Sequence, residues 1–115
     1  RIKTMTTLLP QDSDHNIIPA LRLKKDGAHT LAVGTSSVRT ATAFDGDTRI
    51  VSLYANVPVF VAFGDGAATA TTSDHYFPAG VYYDLSIGGG NTGQYSHVAV
   101  LAVSGGGDVY LSEKE

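Results

Sequence analysis

Apolar and polar residues alternate in short runs along most of this chain, and glycine-rich turns break the runs. Side chains of an extended strand point alternately to opposite faces, so such alternation predicts strands with one apolar face. Over 38–44, Val38, Thr40, Thr42 and Phe44 share a face. Over 49–55, Val51, Leu53 and Ala55 oppose Ile50, Ser52 and Tyr54; over 59–63, Val59, Val61 and Phe63 oppose Phe60 and Ala62. Further runs cover 17–23, 29–33, 76–77, 81–87, 94–103 and 108–112. The run 94–103 is the longest and most apolar and is expected to be central, and 108–112 to close the sheet. Turns are expected at Lys24-Lys25-Asp26-Gly27, Asp45-Gly46-Asp47, Asn56-Val57-Pro58, Pro78-Ala79-Gly80 and Ser104–Gly107. Pro19 offers no ladder donor and assigns 17–23 to an edge or a bulge. No window repeats apolar residues at helical spacing between caps.

About eight short strands at this spacing predict an all-β fold: an antiparallel β-sandwich of jelly-roll or Greek-key type, with both apolar sheet faces buried against each other. The sandwich is expected over 17–115 as a single domain. Residues 1–16 read as an extended N-terminal arm. Its Ile2, Met5, Leu8 and Leu9 are costly to leave in water, so the arm is expected to dock on a neighbour or on its own sheet.

Length and charge narrow the function. At 115 residues the chain is one domain, large enough to hold a core without staples. It has no cysteine, which removes disulfides and thiolate metal sites. A net charge of −3, from eight basic and eleven acidic residues, is the wrong sign for a general nucleic-acid binder. Five cations in the first quarter (Arg1, Lys3, Arg22, Lys24, Lys25) could orient that part on an acidic surface, but they read first as a solvated arm and turn. No run approaches the roughly 18 apolar residues of a membrane span, and no signal-peptide pattern opens the chain.

The segment Gly64–Asp74 has almost no hydrophobic mass. A phosphate loop would need Lys-Ser/Thr entering a helix, and Gly66 is followed instead by Ala67-Ala68-Thr69-Ala70. The small residues suit an inter-strand loop lying flat on another surface. That makes Thr69 and Thr71 candidates for partner contact. Asp12, Asp14 and Asn16 copy the first ligands of an EF-hand, but Ile17 and Leu23 stand where Gly and Glu belong. The histidines (15, 29, 75, 97) lack ligand spacing, Ser73-Asp74-His75 are neighbours only in sequence, and Asp84 is a lone mid-strand acid. No metal, cofactor or catalytic set is expected. Tyr76, Tyr82 and Tyr83 cluster around Pro78 and could anchor a protein interface or stack on a sugar. In an alternating strand Tyr82 and Tyr83 must face opposite ways, one core and one surface.

The stretch VFVAFGDGAATATTSDHYFPAGVYYDLSIGGG, followed by HVAVLAVSGGGDVYLSE, resembles small β-sandwich structural proteins of tailed bacteriophages. The likeness lies in a strand ending Val-Ala-Phe-Gly, an Ala/Thr-rich loop ending Ser-Asp, an aromatic before Pro-Ala-Gly, and a last Val-Tyr-Leu strand, over residues 49–113. It implies a non-enzymatic virion component made in the host cytoplasm, a capsid decoration (cement) protein, with the major capsid protein or another virion protein as partner. Homo-oligomers are expected, with no nucleic-acid or membrane partner. Ile2, Met5, Leu8, Leu9, Thr69, Thr71, Tyr76 and Tyr82 are the expected partner-binding residues. The alternatives are a carbohydrate- or receptor-binding module and a tail or neck accessory protein.

Overall fold

The computed structural model describes residues 11–17, 20–89 and 93–115. They form eight strands and no helix: β1 (Leu23–Val33), β2 (Val38–Arg39), β3 (Ile50–Ala55), β4 (Val59–Gly64), β5 (His75–Phe77), β6 (Tyr82–Ser86), β7 (His97–Ala102) and β8 (Gly107–Lys114). A first sheet has the order β1-β8-β3-β6 and a second β2-β7-β4-β5. Every ladder is antiparallel. Strands β1·β8, β2·β7, β3·β6 and β4·β5 are all paired, and each chain connection after β4–β5 retraces one before it. The expected all-β antiparallel sandwich is what the chain forms.

One core joins the two sheets. Leu31 and Val33 of β1, Val51 and Leu53 of β3, and Val109 and Leu111 of β8 meet Val59 and Val61 of β4 and Val98 and Val100 of β7, all nearly or fully buried. These are alternate residues of each strand, as pleating requires. Full burial of a Val or Leu side chain stabilises the fold by about 1.5–3 kcal/mol. Phe44 and Ile87, from the connections after β2 and β6, complete the core.

The strand positions differ from the sequence reading in three places. Lys24–Gly27 does not turn a hairpin. Leu23 pairs with Lys114 and Ala28 with Ser112, so these four residues bulge opposite Glu113 within one long strand. Arg22 continues the pairing by exchanging backbone hydrogen bonds with Glu115. Asp26 takes a φ of 62°, and a Cβ on Gly27 would lie 3.0 Å from that of Glu113. Any larger residue at 27 would crowd Glu113 and Lys24 where the bulge presses on β8, so glycine suits the position. Second, only Val38 and Arg39 of the run 38–44 join a ladder. Beyond them the chain stays near β7 through Thr40 N–H to Val98 O and Phe44 N–H to Ser96 O. Third, the C-terminal strand does not close its sheet but lies inside it, between β1 and β3. The run 94–103 holds the expected inner position as β7.

The connections sort by length. At one end, 34–37, 56–58, 78–81 and 103–106 cross between sheets in at most four residues each. At the other, 40–49, 65–74 and 87–96 each run ten residues. Residues 1–10, with Ile2, Met5, Leu8 and Leu9, lie outside the described residues. Within 11–16, assigned above to an extended arm, Asp12 closes a compact turn: its Oδ1 accepts from Asp14 N and Asn16 N at 2.9 Å, and Gln11 bridges Ile17.

Candidate interaction surface

The tight-turn end carries no charge in any of its four connections: Gly34–Ser37, Asn56–Pro58, Pro78–Val81 and Val103–Gly106. Around it stand Tyr76, Val81, Tyr82, Val103 and Tyr110, all exposed. Three of the aromatic residues come into register through the strand order. Tyr54 of β3 faces Tyr82 of β6 on one side and Tyr110 of β8 on the other. Their ring centroids are 5.2 Å and 6.3 Å apart, tilted by 35° and 34°. Leu53 and Val109 point into the core, so this row stands on the outer face of the first sheet. Tyr82, at its end, is 69% exposed. On the outer face of the second sheet, Phe60 meets Tyr76 edge-on at 5.9 Å, with Leu101 across the ladder.

The end is held rigid by its own short connections. Asn56 N–H donates to Asp108 O, and Asp108 N–H donates back to Asn56 Oδ1 at 2.8 Å. A Cβ on Gly107 would lie 2.5 Å from that same Oδ1, so glycine is what lets the two connections approach. Tyr82 and Tyr83 divide as alternation predicts: Tyr83 turns inward and meets Phe77 edge-on at 4.9 Å.

Thr69 and Thr71 sit in the connection 65–74, which folds back over the outer side of the second sheet. Arg39 Nη1 donates to Ala68 O at 2.9 Å, and Ser37 Oγ accepts from Ala70 N. Ala99 faces outward on β7 yet is 0% exposed. The small residues thus lie flat on the protein's own sheet. Asp74 accepts from Thr71 N and Oγ1 and fixes the turn back to β5. Thr69, Thr71 and Tyr76 share the outer side of the second sheet, whereas Tyr82 stands on the opposite face of the sandwich.

The long-loop end is chemically different. Glu113 and His29 occupy the last inward positions of β8 and β1, where the alternation Val109, Leu111, Glu113 meets His29, Leu31, Val33. Glu113 is buried, and three groups from different segments bond its carboxyl. Its Oε2 lies 2.7 Å from His29 Nε2, and its Oε1 takes Asp45 N–H at 2.9 Å and Thr48 Oγ1–H at 2.5 Å. His29 packs edge-on against Phe44 at 5.3 Å, and Gln94 Nε2 donates to Asp45 O and Thr48 O. Lys24, from the bulge, reaches Asp45 at 3.2 Å. Asp47 N–H and then Lys24 hold the Asp45 carboxyl below its usual range, and the Asp45 hydrogen bond raises Lys24 in turn. The arrangement ties β1, β8 and two long connections together. No buried side-chain N or O among the described residues lacks a partner. The sequence reading missed this pair because it ended the last strand at Ser112; continuing the alternation by one step would have placed Glu113 inside.

A cleft of ≈ 430 Å³ opens between β5 and β6, where the two sheets part. Val61, Phe63, Phe77 and Leu85 line it, with His75 and Ser86. Among the described residues no three His, Asp or Glu side chains group as metal ligands, and no helix is long and apolar enough to cross a membrane. No family model matches this chain, and neither does a curated protein or a solved structure.

Proposed function

We propose that this chain is a non-enzymatic structural protein of a tailed-phage virion, a capsid decoration protein that attaches to the head lattice by its tight-turn end. The observation that carries this reading is the end whose four connections carry no charge and which bears the Tyr110–Tyr54–Tyr82 row. Interface centres are enriched in tyrosine and depleted in charge, because aromatic area is buried there without stripping water from ions. The motif resemblance over 49–113 names the setting. We read the two sheet orders as a jelly-roll winding, an architecture that virion and lectin domains share; this is analogy at the level of fold. Many modest contacts repeated over a lattice add up to firm attachment.

A test is occupancy of heads stripped of the protein. Losing a single buried tyrosine anchor costs about 2 kcal/mol, or roughly thirtyfold in affinity. Tyr82→Ser should therefore reduce occupancy at limiting protein while the domain stays folded. Full occupancy by a variant lacking all three tyrosines would remove the reading.

A carbohydrate-binding module is the second reading, favoured by the same row of phenols. Ring geometry weighs against its simplest form. Rings lying side by side need centroids roughly 6.5 Å apart if their carbons keep ~3.5 Å contacts. At 5.2 Å, Tyr54 and Tyr82 overlap instead and offer edges and hydroxyls rather than one broad platform. Glycan-array binding lost in Tyr82→Ser would nevertheless favour the sugar reading over the lattice one.

A further inference from the structure

The edges of the two sheets are not equally protected. Strand β1 carries the bulge with Lys24 and Lys25, and it also approaches β2 and β7 on the closed side of the sandwich. Strand β2 has two residues and β5 three. Bulges, lysines and short length are the devices that keep an edge from pairing with another chain. β6 has none of them. It keeps unbroken register with β3 over five residues, from Ile50 opposite Ser86 to Tyr54 opposite Tyr82, without lysine or proline. Its one charge, Asp84, is turned back to Lys114 at 2.8 Å.

The free backbone groups of β6 can be assigned. Ile87 N–H donates to Arg49 O across the ladder at 2.8 Å. Bond direction alternates along an antiparallel strand, so the N–H and C=O groups of Tyr82, Asp84 and Ser86 point away from β3. Two further features end at this same edge. On the inner side lies the apolar cleft lined by Phe63, Phe77 and Leu85. On the outer side the tyrosine row stops at Tyr82, with nothing beyond it among the described residues.

We propose that β6 is a docking edge that takes one extended strand from a protein partner. The proposal rests on the attachment reading and gives it a mode. The added strand pairs with the backbone of Tyr82, Asp84 and Ser86. It carries an aromatic residue opposite Tyr82, which lengthens the row, and an apolar residue opposite Leu85, which fills the cleft. Main-chain bonds supply affinity in such strand addition, and the alternate side chains supply selectivity.

The probe is a synthetic peptide with the sequence of residues 49–55. That sequence already pairs with β6 from its other side, setting Tyr54 against Tyr82 and Val51 against Leu85. Titrated into the ¹⁵N-labelled chain, it should shift the amides of Tyr82, Asp84 and Ser86 and slow their exchange. Asp84→Pro removes the central outward donor but leaves the bonds to β3, and should weaken binding at least about tenfold; proline is tolerated at such edge positions. If that variant does not fold, Tyr82→Ser reads the same edge and should weaken peptide binding severalfold. Shifts confined to β1 or β2, or none at millimolar peptide, would overturn the proposal. Heads that bind a chain whose β6 ignores the peptide would refute strand addition and leave attachment standing. A peptide-binding chain that ignores heads would refute attachment alone.

Discussion

The two ends of this sandwich solve opposite problems. The long-loop end must hold three ten-residue connections in place; a buried carboxylate that gathers His29, Asp45 and Thr48 anchors two of them, and the third is tied back to the second sheet by Arg39 and Ser37. The tight-turn end needs no such anchor, since its connections span at most four residues and brace one another through Asn56 and Asp108. Charge follows that division. The polar end spends its ionisable groups on folding, while the four connections of the other end carry no charge and its surface is rich in aromatic residues. Under the proposed function, stability and attachment fall to separate sets of residues, and that separation can be tested from both sides.

The largest effect should come from Glu113→Ala. It leaves His29, Asp45 N–H and Thr48 without their buried acceptor, and each buried polar group orphaned in this way costs about 1–3 kcal/mol. Urea unfolding should show the loss, while the tyrosine row stays intact in whatever protein remains folded. A loss under about 1 kcal/mol would show that the long connections are held by something else. Gly107→Ala should come next. The added methyl meets Asn56 and Val57, and overpacking of this kind costs about 1–3 kcal/mol. Here both stability and attachment should suffer, because the strain falls within the aromatic end.

The smallest effect concerns Lys24 and Asp45, a pair at the surface that solvent screens. The folded pKa of Asp45 is depressed, so its contribution is fully present above the ordinary aspartate value of 3.8 and fades as pH falls through the lower folded value. Lys24 is raised, so its contribution is present below 10.5 and fades as pH rises through the higher folded value. Melting curves of the native chain and Asp45→Asn should therefore differ slightly near neutrality and converge below pH 3.8. A gap that widens on acidification would contradict the assignment.

Much of the fold could be read from pattern alone. Strands β3, β4, β6 and β7 alternate cleanly between strong breakers such as Asn56-Val57-Pro58 and Pro78-Ala79-Gly80. Strand β1 could not be read correctly, because Lys24–Gly27 carries hairpin chemistry. Whether an Asp-Gly step turns the chain or bulges it depends on its partner, and that partner is β8, far along the sequence. Residues 40–44 alternate like a strand but leave the ladder, with the Thr40 hydroxyl accepting from Val98 N. The surface was half legible. Alternation separated Tyr82 from Tyr83, but no local signal joins Tyr54, Tyr82 and Tyr110. Only the order β8-β3-β6 brings them into one row.

The most direct measurement pairs melting temperature with head occupancy for one variant, Tyr54→Ser/Tyr82→Ser/Tyr110→Ser. If the tight-turn end is the grip, the variant melts within a few degrees of the native chain and no longer decorates heads. Undiminished decoration by a folded triple variant would place the grip elsewhere.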